Sequence, residues 1–472
     1  MSGTRSAAEP DLRQGAPTRR RAEEIGSTPT GPRPLPPLGP QRTVPAPDEV
    51  DTVLDTGLRV VAVRRAEVPM VEVRLRVPFA DTSGREDSTH AAVAEVLSTT
   101  ILSGTGTRTR VAVDDELAGV GGELGFSVDP ERLTASGHAL AEGTDTLLDV
   151  LADVLVNATH PDDELARERA RLVERIELAS AQPSVIARRA LQERRYGSHP
   201  VTREMPRPEE VTGVTADAVR ALQASALRPG GAVLVLVGDL DPSDAVSRVE
   251  RALSGWAAGE AAELPALPAL TARDLLLVDR PGAVQSQLRL SAPAVGRTDP
   301  RYAALQLANL SLGGYFSSRL VENLREDKGY TYHASSSLEL DPHGAVLVVE
   351  TDVASEVTAP ALLETRYEIG RLAVVPPSAE EVESARRYLV GSLLISMSTQ
   401  AGYASTVAAL AAHGLSSAWV REHPARIEAV TVDEVAAAAA EFFAPTAFTG
   451  VVVADAARAG EGLRALGGVE IP

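Results

Sequence analysis

The chain has 472 residues, too many for one hydrophobic core, and the length predicts about two to four domains. Hydrophobic residues make up 44% and charged residues 24%, the balance of a soluble globular protein, with no apolar run near the roughly 18 residues of a membrane span. A net charge of −19 and the lack of a basic cluster in the folded part exclude nucleic-acid binding; the lack of cysteine excludes disulfides, a thiol nucleophile and Cys-ligated metal, and fits a reducing, cytoplasmic setting.

Residues 1–47 are rich in Pro, Gly, Arg, Ser and Thr without apolar periodicity. Such a segment buries too little surface to offset its ordering entropy, so a disordered tail is expected. Pro-rich sequence follows Arg19-Arg20-Arg21 where an export signal needs an apolar stretch. Order is expected from about Val50. DTVLDTGLRVVAVRR reads as two short strands around a turn at Thr56-Gly57. Val71 to Phe79 alternates apolar and charged residues, as a half-buried strand does. A helix from Thr89, as N-cap, to Leu102 follows, then a loop at Gly104 to Thr109. A helix over Val111 to Val120 stops at Gly121-Gly122. Two strands, Leu124–Val128 and Leu133–Leu140, lead to helices at Gly143–Asn157, Pro161–Ser180 and Ile186–Arg194. Arg194 to Pro208 reads as a loop. A helix at Ala216–Ala226, a strand at Ala232–Val237 and a helix from Pro242 to Leu253 complete a first lobe, residues 48–256.

Ala257 to Ala272 is mostly Ala and Pro and reads as a linker. The pattern then restarts in residues 273–472. LRLSAP near Leu288 repeats VRLRVP near Val73. The helices Pro300–Leu312, Val357–Ala373, Ser378–Met397, Gly402–Ala412 and Val432–Phe443 follow the earlier order, as do the strands Tyr332–Leu340, Ala345–Asp352 and Phe448–Ala454. The offset is roughly 215 residues, which means two copies of one domain rather than a solenoid. The fold class read from this is α+β, with two homologous lobes. Each is a mostly antiparallel sheet with helices packed on one face.

The longest distinctive stretch is LGGYFSSRLVENLREDKGYTY, Leu312 to Tyr332. Arg325 near the end of a helix and Tyr332 on the strand that follows lie seven residues apart. A cationic fork and a phenol on adjoining elements can converge on one point in space. The Gly313-Gly314 pair lacks the Lys-Ser/Thr of a phosphate loop.

Three passages resemble the pitrilysin and insulysin family of inverted-zincin metallopeptidases, nearest the branch that includes the mitochondrial processing peptidase. They are RRYGSHP at Arg194–Pro200, LVLVGDLDP at Leu234–Pro242 and the Leu312–Tyr332 stretch. Active members carry H-x-x-E-H, in which two histidines bind zinc and the Glu is general base. Aligning the Gly-Thr that follows with Gly104-Thr105 places that motif on Glu95, Val96, Leu97, Ser98 and Thr99, so both histidines and the catalytic Glu are gone. The third ligand falls on Glu174 or Arg175, with Arg175 favoured. No two histidines are spaced i, i+3 or i, i+4, so no replacement metal site is expected, and the histidines read as surface or loop residues. His199 is expected to cap or fix the loop at Pro200.

The resemblance implies that Arg325 and Tyr332 hold the substrate carbonyl or oxyanion, and that Gly313, Gly314, Tyr315 and Phe316 line the peptide channel. It further implies a non-catalytic subunit. No cofactor is expected in this chain; zinc is expected in a homologous partner subunit, and a peptide is the expected substrate. The alternative it leaves is a catalytically inert scaffold. No serine elbow, dinucleotide fingerprint or acid/base carboxylate pair supports an independent enzyme.

Overall fold

Val71, Val73, Leu75 and Val77 are all fully buried, while the charged residues between them are not, so the alternation in this strand does place one face inward. A computed structural model describes residues 46–85, 88–341 and 343–471; most of the expected tail lies outside them. The first lobe holds β1 (Glu49–Val53), β2 (Arg59–Arg64), β3 (Met70–Pro78), β4 (Glu123–Val128), β5 (Arg132–Leu140) and β6 (Val233–Gly238), in the order β1-β2-β6-β3-β5-β4. The second holds β7 (Leu275–Asp279), β8 (Gln285–Pro293), β9 (Ala334–Asp341), β10 (Gly344–Ala354), β11 (Thr449–Ala454) and β12 (Val469–Glu470), in the order β12-β7-β11-β8-β10-β9. Among the named strands of the described residues, only β2–β6, β7–β11 and β7–β12 pair in parallel. The repeat is therefore real at the level of topology.

In each lobe one sheet face is covered by that lobe's own helices. In the first, Leu97, Leu148, Leu155, Leu172 and Val219 pack on Val73, Leu75, Leu234 and Leu236. The opposite face is covered by the other lobe. Val61, Val63, Val233, Val235 and Val237 bury themselves against Tyr403, Val407, Leu410 and Trp419 of the second lobe. Reciprocally, Leu191 of the Pro183–Tyr196 helix packs on Val346, Val348 and Val451. The helices exchanged, Pro183–Tyr196 and Gln400–Ala411, occupy equivalent places in the repeat. This explains why β6 and β11 are buried at every position: each is apolar on both faces because both faces are covered.

Several boundaries differ from the sequence reading. Thr89 is the N-cap of the His90–Thr100 helix, but its side chain makes no capping bond. The Pro183–Tyr196 helix runs through Tyr196, and a short helix at Pro208–Thr212 ends what reads as loop. Helices at Ser417–Ala429 and Ala456–Leu466 are additional; the first carries an internal Pro424, which masks its period. The strand expected from Tyr332 begins at Ala334, so Tyr332 lies in the preceding loop. The Ala/Pro-rich linker has almost no regular structure but is pinned: Ala80 N–H donates to Ala262 O at 2.9 Å, and Leu264 is buried. Among the described residues no helix is long and apolar enough to cross a membrane.

Candidate functional site

The helix His90–Thr100 carries Glu95, Ser98 and Thr99. Ser98 Oγ donates to Glu95 O at 2.9 Å and Thr99 Oγ1 to Val96 O at 3.0 Å, so both hydroxyls are spent on their own helix. Arg175, on the Asp162–Ser180 helix, brings Nη2 to 3.9 Å from Glu95 Oε2. Burial pushes the Glu95 carboxyl up, and Arg175 pulls it back only in part. The alignment thus places side chains that do face each other. The donor set does not fit zinc: one carboxylate, two engaged hydroxyls and a guanidinium that cannot bind a cation. Among the described residues no group of three His, Asp or Glu is arranged to hold a metal.

The histidines are not all peripheral, contrary to the sequence reading. His160 is fully buried, with Nδ1 2.7 Å from Thr100 Oγ1 and Nε2 2.6 Å from Gln223 Oε1. It joins the end of one helix to the Ala216–Ala226 helix. His423 is buried between Trp419, 4.1 Å between ring centres, and Tyr302, at 5.6 Å. Its Nε2 lies 2.7 Å from Gln306 Oε1. Neither position shows a spacing signal, because the hydrogen-bond partners of each histidine lie on distant elements. His199 behaves as expected: Nδ1 accepts from Val201 N–H at 3.1 Å and caps the turn at Pro200.

The Leu312–Tyr332 stretch is more irregular than its sequence implies. The helix Tyr302–Asn309 widens into a π-turn at Leu310–Gly314. A Cβ at Gly313 would stand 2.7 Å from Ser336 N of β9, so only glycine lets the turn sit against that strand. Tyr315 is extended, and its ring packs 5.4 Å from Tyr388. Arg319 then anchors the chain. Its Nε and Nη2 donate to the two oxygens of Glu381 at 2.7 and 3.1 Å, and Nη1 donates to Val375 O at 2.8 Å. Partial burial acts to raise Glu381, but Arg319 and the Ser378 N–H outweigh it and hold the carboxyl at about 2. Arg319 is therefore structural.

Arg325 lies in a second π-helical segment, Glu322–Asp327, rather than in a regular α-helix. Its Nε is 3.2 Å from Glu326 Oε1, and its Cζ lies 4.8 Å from the Phe316 ring centre. Phe316 is 64% exposed and Tyr332 95% exposed. The loop and the π-helical segment thus bring Phe316 to Arg325, while Tyr332 projects from the loop before β9. Beside them a polar cleft of about 630 Å³ is lined by Arg319, Glu322, Asn323, Lys328, Tyr367 and Glu368. Buried Glu368 accepts from Asn323 Nδ2 at 2.8 Å and pairs with Arg371 at 3.2 Å. The Glu368–Arg371 pair is an i, i+3 pair within the Thr358–Val374 helix, whereas the Asn323–Glu368 bond joins two elements and leaves no sequence signal.

A two-lobed α+β chain with Glu95 facing Arg175 at the aligned ligand positions, and no metal-holding cluster among the described residues, defines the class: a metallopeptidase-like fold. The comparisons with known proteins make this specific. Residues 60–209 match the family profile described as insulinase (peptidase family M16), and residues 213–389 match the peptidase M16 inactive domain. The chain belongs to this family. It is similar to an uncharacterized zinc protease of Mycobacterium tuberculosis, 27% identical over 401 residues, covering 82% of this chain and 89% of the relative. An uncharacterized zinc protease of Bacillus subtilis is 24% identical over 351 residues, 72% of this chain and 82% of the relative. Among solved structures, a peptidase M16 inactive domain from Pseudomonas fluorescens superposes with a TM-score of 0.78 at 23% identity, covering 86% of this chain and 98% of that one. A protease from Helicobacter pylori superposes with a TM-score of 0.77 at 16% identity, covering 86% and 100%.

Proposed function

We propose that this chain is the non-catalytic subunit of a heterodimeric zinc peptidase, contributing peptide binding and transition-state donors to a zinc-bearing partner. One observation carries the reading. Tyr332 is exposed and Arg325 half-buried, and among the described residues the pair has no metal site to serve, because Glu95 and Arg175 stand where ligands belong. The two relatives described above are called zinc proteases, which supports a role in proteolysis.

In this reading Arg325 and Tyr332 donate hydrogen bonds to the oxygen on which charge develops as the partner's zinc-bound water attacks. Gly313 to Phe316 line the peptide path. Removing one pre-placed donor of this kind costs about 10²- to 10³-fold in rate. The lack of cysteine fits work in the cytoplasm. The test is reconstitution with the zinc-bearing partner. Arg325→Ala or Tyr332→Phe should each lower turnover about tenfold or more. Unchanged turnover in both variants favours the inert scaffold instead.

A further inference from the structure

We propose that Phe316 is the positioning residue for Arg325: its ring face holds the guanidinium flat, with the Nη edge turned to a backbone carbonyl of a bound, extended peptide. The proposal deepens the peptide-binding reading above and rests on it for its catalytic meaning.

Phe316 is 64% exposed, so core packing does not account for its place. Its ring makes no aromatic pair among the described residues, and the group it faces is the Arg325 guanidinium, 4.8 Å away. The loop that carries it is held at both ends. At one end Gly313 sits against Ser336 of β9. At the other, Ser318 N–H donates to Tyr315 O at 3.2 Å, and Arg319 is clamped on Glu381. Tyr315 is turned the other way, onto Tyr388. With its neighbours fixed on both sides, Phe316 is presented as a platform.

On the other side, the Arg325 Nε is engaged by Glu326 at 3.2 Å, and no Nη contact to a protein group occurs among the described residues. A guanidinium has five N–H donors in one plane. Stacking on the ring leaves that plane's edge free, and the free edge is the part that meets an acceptor. A long exposed side chain otherwise samples many rotamers. An exposed cation–π contact biases that population about 2- to 5-fold, and the bias is pre-organisation that the bound peptide need not supply.

The first test uses the full chain alone. Its two tryptophans, Trp256 and Trp419, are buried, so Phe316→Trp adds the one exposed indole. Acrylamide should quench that indole about twofold more strongly in Phe316→Trp/Arg325→Ala than in Phe316→Trp. Equal quenching overturns the stacking. The second test uses the reconstituted pair. Phe316→Leu should lower kcat severalfold with KM little changed. Phe316→Tyr, which keeps the ring, should restore it. In an Arg325→Ala background Phe316→Leu should add nothing further. Full turnover in Phe316→Leu overturns the positioning role. If Arg325→Ala and Tyr332→Phe both leave turnover unchanged, the subunit reading falls, and quenching still decides whether Phe316 holds Arg325.

Discussion

Gly313→Ala tests whether the loop that carries Tyr315 and Phe316 is seated on β9. The added Cβ would stand 2.7 Å from Ser336 N, 2.9 Å from Ser336 Oγ and 3.1 Å from Ser335 C. Two of these three atoms are backbone of a strand paired along its length with β10, so the strand cannot give way cheaply and the loop must lift. Its φ lies outside the left-handed region, so the cost comes from the clash and not from backbone strain. Overpacking of this kind costs about 1–3 kcal/mol, a fall in Tm of roughly 1–3 °C for two interlocked lobes melting as one unit. Gly391→Ala is the control. Gly391 lies inside the Ala379–Ser396 helix, with nothing within 4 Å of the new Cβ. There the substitution should stabilise by about 0.5–1 kcal/mol through helix propensity alone. Scanning calorimetry of the two variants should move Tm in opposite directions. If Gly313→Ala melts with the wild type, the loop is not seated on β9, and the account of how Phe316 is presented is wrong.

Stability should also fall with acid through His423. Burial first, then Arg426 and Arg297, holds its imidazole down at about 4 against an ordinary 6.5. Because the folded value is depressed, the unfolded chain takes the proton first. The contribution is complete above pH 6.5 and is lost as pH falls towards 4, about 3 kcal/mol in all. Denaturant titrations of His423→Gln between those pH values should lack that part of the slope. Arg175→Ala breaks a long, 3.9 Å pair between an exposed guanidinium and a half-buried carboxylate and should change stability by under about 1 kcal/mol; a larger loss would mean the pair braces its two helices. A nick within residues 257–272 should leave two halves that stay associated through the exchanged helices. Either half expressed alone should aggregate, since losing Gln400–Ala411 bares Val61, Val63, Val233, Val235 and Val237. A soluble, folded first half would refute the exchange.

Much of this was legible in the chain. Strand alternation at Val71 to Phe79, the restart of the pattern after the linker and the absence of H-x-x-E-H around Glu95 are local properties, and local patterns survive folding. So does the spacing of Arg325 and Tyr332. What the sequence could not determine is what covers an apolar face. Period two says that Val233 and Leu234 point to opposite sides of β6; only the tertiary structure shows that the second lobe's helix lies over one of them. The same holds for Glu95 facing Arg175, for His160 and His423 in the interior, and for Phe316 beneath Arg325. The first three are contacts between elements far apart in sequence; Phe316 and Arg325 are only nine residues apart, but irregular backbone joins them, so no regular period predicts the contact. The π-turns at Leu310–Gly314 and Glu322–Asp327 belong with these, since it is the seat against β9 and the anchor on Glu381 that hold this stretch in place.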